Sequence, residues 1–325
     1  MDSPPNALPP IPPNIGRIAG PLLVGHLLNW ALFGVLSMQI YMYHLAFPND
    51  PPRSKALSYG VYVFEAVQTF ILTQTAFHAF ADGFGNLLYL DEIGTIWFSV
   101  PIMSGIVAFV AQTFYAYRIK VLSDSKIVAS FVVLLAVVQL GGAIATGVMS
   151  ERAKYSSKFL GTDSLITTGI WNGGSALCDT IIAICMTVYL ARRNTGMAHT
   201  RNLVKKIIRL TVETGSLTAV IALLNFVLAL LPGHPTYYMA TAGILGKLYS
   251  NSMMAVFNSR IQMAEGVNST TSVELSTGSF SRSRADQQRR GPSNMVSVSV
   301  RTEQVHFPED NQRYFDGREF DTIKV

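Results

Sequence analysis

Long apolar stretches alternate with short polar breaks along the first 258 residues. A bilayer core of ~30 Å needs about 20 apolar residues in helical form. Seven stretches reach that length, at 20–46, 57–80, 94–117, 127–149, 164–191, 210–231 and 236–258. None shows the ten-residue alternation of a membrane barrel strand. The pattern predicts an all-α membrane protein, with a seven-transmembrane-helix bundle over residues 20–258.

Basic residues in the breaks predict the direction of insertion. The first, third and fifth breaks together contain 11 Lys and Arg residues. The segment before the first stretch and the second, fourth and sixth breaks together contain 4, of which three fall in the fourth break. Because basic residues are retained on the cytoplasmic side, we expect the N-terminus outside and the C-terminus in the cytoplasm.

The two ends differ in composition from the apolar region. Residues 1–19 are rich in proline and lack a basic region before an apolar core, so we expect an extracellular segment and no cleaved signal peptide. Residues 259–325 are rich in Ser and Thr and poor in large apolar groups, with nine basic and nine acidic residues. That composition predicts a disordered cytoplasmic tail.

Overall composition agrees with a membrane protein. Hydrophobic residues make up 49% of the chain and charged residues only 14%, against about 25% charged in ordinary soluble domains. The net charge of +5 lies between the apolar stretches, which argues against nucleic-acid binding and for contact with the lipid bilayer. Only two cysteines, Cys178 and Cys185, are present, which excludes a disulfide-built scaffold. The topology favours the plasma membrane.

Three charged residues lie deep inside apolar stretches. Glu65, Asp179 and Lys247 each lie about 9 to 12 residues from the predicted cytoplasmic end of their helix, or ~14–18 Å at 1.5 Å per residue. A charge at the centre of a bilayer costs roughly 2.5–3.5 kcal/mol on insertion scales. We therefore expect the three side chains to share one layer that is shielded from lipid.

Polar stripes extend this layer into a candidate ligand-binding site. Asn172 shares a helix face with Asp179, and Asn251 shares one with Lys247. His26 and Asn29 lie on one side of the first stretch. Such stripes face protein or water rather than lipid.

Charge counting leaves two hypotheses open for the layer. Lys247 pairs with Asp179, with Glu65, or with both. Two carboxylates and one ammonium leave one negative charge, which favours a protonated carboxyl, a bound cation or a cationic ligand. The alternative is an ion pair that only sets the register of the helices.

Pairs of Gly or Ser occur in four central stretches, for example Gly141-Gly142 and Gly173-Gly174. In lipid, such residues allow helices to approach closely. Simple space-filling is the alternative.

Other chemistries fit less well. Lys247 has the position of a retinal-binding lysine in a last helix, but the third stretch contains no acid as counter-ion, so Asp179 or Glu65 would have to replace it. No two histidines have the i, i+4 helical spacing that a zinc hydrolase site would favour. No phosphate-binding loop, dinucleotide fingerprint or nucleophile elbow is present. We expect no enzyme activity, no cofactor and no metal site.

Several short segments of the chain are distinctive. They are Gly20-Pro21-Leu22-Leu23, Leu27-Leu28-Asn29-Trp30, Gly34-Val35-Leu36, Gln39-Ile40-Tyr41, Phe47-Pro48-Asn49-Asp50, Glu65 with Gln68-Thr69, Gln112 with Phe114-Tyr115-Ala116-Tyr117-Arg118-Ile119, Lys247-Leu248-Tyr249-Ser250-Asn251-Ser252 and Asn258-Ser259-Arg260. Together they resemble a large family of basidiomycete membrane proteins of unknown function, over about residues 15–262. The resemblance implies an integral membrane protein with a seven-helix, receptor-like layout, and no ligand or reaction.

The layout is also similar to that of G-protein-coupled receptors, although their strongest marks are missing. Tyr117-Arg118-Ile119 ends the third stretch with no acid before the arginine, and the seventh stretch has no Asn-Pro pair. The similarity is therefore one of topology.

These observations favour a receptor-like protein that senses a small external ligand. We expect an amphiphilic molecule to enter among the outer helix ends and to reshape the basic segment 192–209, where a cytoplasmic signalling partner would bind together with the tail. The first alternative is a transporter or ion pathway through Glu65, Asp179 and Lys247. The second is a structural or lipid-interacting membrane protein.

Overall fold

The computed structural model describes residues 15–123, 125–159, 161–192, 198–230 and 237–261. Side chains at 190–211 and 230 are outside the description. The expectations for residues 1–14, for the side chains of the segment 192–209 and for the tail beyond 261 therefore fall outside the described residues. The chain divides into the units Met1–Val273 and Glu274–Val325, and all described residues belong to the first.

Seven long helices make up almost all of the described chain. They are α1 (Ile15–Ala46), α2 (Pro52–Phe77), α3 (Ser104–Ser123), α4 (Lys126–Ala153), α5 (Thr162–Arg192), α6 (Ala198–Leu230) and α7 (Tyr237–Asn258). A π-helical turn, His78–Asp82, continues α2, and a second, Phe98–Met103, leads into α3. Short helices at Leu87–Asp91 and Ser156–Phe159 lie in the connections.

Six of these helical segments are long and apolar enough to cross a membrane, by length and composition: Ile15–Ala46, Pro52–Asp82, Phe98–Ser123, Lys126–Ala153, Thr162–Tyr189 and Val212–Ala229. Their outward faces carry large apolar side chains, such as Leu27, Phe70, Leu134 and Ile184. An apolar surface of this kind fits lipid rather than water. The six helices indicate an integral membrane protein.

Helix α7 lies in the centre of the bundle and is not among these six. Lys247, Asn251 and several serines lower its hydropathy. Every residue from Ala242 to Met254 is buried, because α7 packs against α1, α2, α3 and α6. A helix that is surrounded by other helices can carry polar groups all round, provided that they find partners.

Glycines allow close contact at specific helix crossings. A Cβ atom on Gly142 would lie 2.9 Å from the Trp171 backbone nitrogen of α5, and one on Gly25 would lie 3.0 Å from Cα of Ala240 in α7. Gly141 and Gly173, by contrast, face open space. Only one member of each predicted glycine pair therefore faces another helix.

At the end of the bundle where α1 begins, the segments that connect the helices are hydrogen-bonded to one another. The backbone nitrogen of Ile93 donates to the Lys154 carbonyl oxygen, and Ser157 donates from its backbone nitrogen and its hydroxyl to Asp91. These bonds hold the segment after α2 against the segment after α4. We call this end the N-terminal end of the bundle.

Candidate functional site

Lys247 is fully buried and pairs with Glu65 of α2. Its ammonium group donates to a Glu65 carboxylate oxygen, to the Glu65 backbone oxygen at 3.0 Å and to Gln68 Oε1 at 3.1 Å. The Phe33 ring lies 5.7 Å from Nζ. An ammonium has three hydrogen atoms to donate, so all three are used.

The Glu65 carboxylate is equally well satisfied. Its second oxygen accepts a hydrogen bond from the Ser250 hydroxyl of α7. Gln68, one turn further along α2, donates to the Ser99 backbone oxygen at 2.6 Å and to the Ser104 hydroxyl at 3.0 Å. We call Glu65, Lys247, Gln68 and Ser250 the paired cluster.

Asp179 lies on the other side of α7. Its Oδ2 accepts hydrogen bonds from the Tyr249 hydroxyl and the Thr218 hydroxyl, both at 2.7 Å, and its Oδ1 accepts one from Gln112 Nε2 at 3.0 Å. The Tyr249 hydroxyl also contacts the Ser175 hydroxyl. We call Asp179, Tyr249, Thr218 and Gln112 the unpaired cluster, since no salt bridge to Asp179 occurs among the described side chains.

The structure shows which of the two carboxylates pairs with Lys247. Lys247 pairs with Glu65 and does not contact Asp179. Lys247 and Tyr249 are two residues apart and so point about 200° apart around α7. The lysine faces α2, while the tyrosine faces α5.

Asparagine side chains hydrogen-bond neighbouring helices to one another. Asn29 donates to the Gly243 oxygen at 2.9 Å, Asn251 to the Leu32 oxygen at 3.1 Å and Asn258 to the Gln39 oxygen at 2.8 Å, so α1 and α7 are joined three times. Asn172 donates to Asn225 of α6, which in turn donates to the Tyr238 backbone oxygen at 2.7 Å. The asparagines of the predicted site, Asn29, Asn172 and Asn251, therefore hydrogen-bond one helix to another and belong to neither carboxylate cluster.

A cavity opens at the N-terminal end of the bundle, apart from both clusters. It has a volume of about 70 Å³, and its walls come from α1, α2, α4, α5, α6, α7 and the segment 93–101. His26 lines it, next to apolar side chains such as Leu22, Leu72 and Trp171. Of the described residues that line it, none is Asp, Glu, Lys or Arg.

Two of the polar side chains that line this cavity, Thr168 and Asn225, could contact a polar group of a bound molecule. The Thr168 hydroxyl is buried, lines the cavity and has no hydrogen-bond partner among the described residues. Asn225 also lines it. Buried polar groups are normally satisfied, so the Thr168 hydroxyl is available to a bound molecule.

The structure does not bring the predicted site residues together in one place. Glu65 and Lys247 pair, Asp179 lies across α7, and His26 lines the cavity at the N-terminal end. Asn29, Asn172 and Asn251 hydrogen-bond neighbouring helices to one another. Sequence reasoning did not include Tyr249, Thr218, Ser250 or Asn225 among the site residues. Thr218 and Asn225 are seven residues apart on α6 and so share a face, which is the signal that could have identified them.

A family of unknown function, DUF6534, matches residues 175–262. That range includes Asp179 and Lys247 and the whole of α7, and it overlaps the sequence segments 247–252 and 258–260 that suggested a family of unknown function. No curated protein and no solved structure matches the chain.

Proposed function

We propose that the chain is a seven-helix, receptor-like membrane protein that binds a small, neutral, largely apolar molecule in the cavity at the N-terminal end. In this proposal α7 is the seventh span, the N-terminus and the cavity face the outside of the plasma membrane, and the C-terminus is cytoplasmic. The proposal includes membership of the basidiomycete family of seven-helix proteins that the sequence resembles.

The arrangement of α7 supports seven spans. It has 22 residues, which is enough to cross a bilayer core, and its polar groups face other helices rather than lipid. The uneven distribution of basic residues supports the orientation. Labelling of single cysteines placed at positions 5 and 300 tests the span count and the orientation. The proposal expects the cysteine at position 5 to react from outside the cell and the cysteine at position 300 to react only after permeabilisation.

The single observation that carries the ligand proposal is the cavity with its unpartnered hydroxyl. The described residues in the walls of this cavity include no Asp, Glu, Lys or Arg, so a charged ligand would have no counter-ion among them. A neutral molecule with an apolar body and one polar group fits, with that group next to Thr168 and Asn225.

Tryptophan fluorescence provides a direct test. Trp171 lines the cavity and is buried, whereas Trp30 is exposed on the apolar outer face of α1. Variants that keep only one tryptophan would be placed in lipid nanodiscs and titrated with 11-bromoundecanol, a neutral amphiphile whose bromine quenches fluorescence on contact. We expect saturable quenching of Trp171 and non-saturable quenching of Trp30, which reports partition into the lipid.

Variants locate the binding. Ala242→Phe fills the cavity wall and should abolish the saturable phase, whereas Val220→Phe, on the exposed face of α6, should leave it intact. Equal, non-saturable quenching of both tryptophans would contradict the ligand proposal.

A second measurement tests whether ligand binding changes the cytoplasmic side, as a receptor-like function requires. An environment-sensitive dye attached at Thr200→Cys reports on the basic segment 192–209, and bromoundecanol should change its emission if ligand binding shifts the helices. Ion or bromoundecanol flux in proteoliposomes without a change in dye emission would instead favour the transporter alternative.

A further inference from the structure

Asp179 is an ionisable group without a cationic partner. It is 4% exposed and lies in the middle of a helix that spans the membrane. Its three hydrogen bonds come from neutral donors, Tyr249, Thr218 and Gln112. Such bonds stabilise a carboxylate, but a buried charge normally also has a counter-charge.

The surrounding helices do not provide that counter-charge from the described side chains. On α3, Tyr115 is neutral, and the Arg118 guanidinium lies over the Phe114 ring, 5.8 Å from its centre, rather than against Asp179. Cys178, on α5 itself, is a free thiol that donates to the Val132 backbone oxygen. The only buried lysine of the described core, Lys247, is used by Glu65.

A small cavity lies directly beside Asp179. Its walls are Tyr115, Ile182, Gly215, Thr218, Tyr249, Ser252 and Asp179 itself. The space is about that of one water molecule. Four of the seven residues therefore bring a hydroxyl group to a carboxylate.

Two of these hydroxyls can present a lone pair to the cavity without losing their own hydrogen bond. Thr218 has a second acceptor, the Gly215 backbone oxygen at 3.0 Å. The Tyr249 hydroxyl has one in the Ser175 hydroxyl. If both hydrogens rotate to these acceptors, Asp179 and the two hydroxyl oxygens form a set of oxygen ligands.

The Tyr115 hydroxyl is a further oxygen in the cavity wall. It hydrogen-bonds the Thr214 side chain, so it is not counted among the ion ligands.

We propose that this cavity binds a single sodium ion, with the Asp179 carboxylate and the hydroxyls of Thr218, Tyr249 and Ser252 as oxygen ligands. One carboxylate balances one monovalent charge. Calcium and magnesium are disfavoured, because they require several carboxylate or carbonyl ligands or retained waters, which neither the charge nor the space provides. Potassium is larger than sodium and fits the water-sized space less well.

Thermal unfolding of the purified full-length chain in nanodiscs tests the proposal. Chloride salts of sodium, potassium and N-methylglucamine would be compared at pH 8 and equal ionic strength. A ligand that binds only the folded state raises the unfolding temperature, and we expect 150 mM sodium to raise it on the order of 3 °C above N-methylglucamine. Equal effects of all three cations would overturn the proposal, and an equal effect of potassium would overturn the assignment to sodium.

Variants place the effect at Asp179. Asp179→Asn keeps the shape but removes the charge and should abolish the sodium effect, whereas Asp163→Asn, an exposed carboxylate on the same helix, should preserve it. Ser252→Ala removes one oxygen ligand and leaves the carboxylate, so it should raise the half-saturating sodium concentration about fivefold. If Asp179→Asn does not fold, Ser252→Ala still tests the ligand set. Full sodium dependence in either Asp179→Asn or Ser252→Ala would contradict the proposed ligand set. None of these outcomes depends on the cavity at the N-terminal end.

Discussion

The paired and unpaired clusters place two buried carboxylates on opposite sides of one helix and stabilise them differently. Glu65 meets an ammonium whose three hydrogen atoms are all used, whereas Asp179 meets three neutral donors. The difference follows from the rotation of α7, since Lys247 and Tyr249 are two positions apart. One central helix can thus provide a counter-charge to one neighbour and only a hydroxyl to another.

The contrast has an energetic consequence. Removing one member of a buried ion pair leaves the other charge uncompensated, at a cost of about 3–5 kcal/mol. Removing a neutral donor from a carboxylate that keeps two others costs less, about 1.5–3 kcal/mol for a hydrogen bond to a charged group. The paired cluster should therefore be the more sensitive of the two.

The largest effect is expected from Lys247→Met. This substitution keeps most of the side-chain volume but leaves Glu65 without a counter-charge, so we expect a loss of about 3–5 kcal/mol in unfolding free energy. Denaturant unfolding in detergent micelles measures it. Lys120→Met, at an exposed position of α3, is the matched control and should change stability by less than about 0.5 kcal/mol.

A smaller effect is expected from Thr218→Val in the unpaired cluster. The exchange keeps the shape and removes one donor to Asp179, so about 1.5–3 kcal/mol should be lost. Thr180→Val, which removes an exposed hydroxyl that donates only to the Ala176 backbone oxygen, should be nearly neutral. If the two valine variants were equally stable, Thr218 would not support the carboxylate.

The sequence predicted the helices better than it predicted their contacts. All seven apolar stretches correspond to long helices, since length and hydropathy are local properties. The start of α6 at Ala198, twelve residues before the predicted stretch, was not predicted, because a basic helical extension has no apolar signal. The sequence predicted that Glu65, Asp179 and Lys247 are shielded by other helices, and all three are buried. Their pairing, by contrast, depends on how α7 is rotated against its neighbours.

The members of the unpaired cluster were harder to find for a related reason. Tyr249 and Thr218 are uncharged and common in apolar helices, so neither stands out until Asp179 is placed beside them. The end cavity depends on residues from six helices and a connecting segment, and no local pattern contains that information.

The smallest effect is expected at a second ion pair, which is nearer to solvent and provides a reference for the buried one. The Arg260 guanidinium, just after α7, donates to both oxygens of Asp50 in the connection between α1 and α2. Because Arg260 is 37% exposed, the pair should contribute no more than about 1 kcal/mol. Asp50→Asn should therefore cost much less than Lys247→Met in the same unfolding assay.

This pair also has a defined pH dependence. The hydrogen bonds from Arg260 hold the pKa of Asp50 below its ordinary value. A carboxyl whose pKa is lowered on folding contributes its stability above the unfolded pKa of about 3.9 and loses it as the pH falls through the folded pKa. The difference in unfolding temperature between the native chain and Asp50→Asn should be constant above pH 5 and shrink below about pH 4. A difference that grows with acid would contradict the pair.

A pair of double-mutant cycles tests the central claim most directly, namely that Lys247 neutralises Glu65 while Asp179 lies apart from it. Unfolding free energies would be measured for Lys247→Met, Glu65→Gln and Asp179→Asn singly and for each carboxylate variant combined with Lys247→Met. We predict a coupling energy of about 2 kcal/mol or more between Lys247 and Glu65, and additivity within about 0.5 kcal/mol for Lys247 and Asp179. Additivity in the first cycle, or strong coupling in the second, would contradict the account.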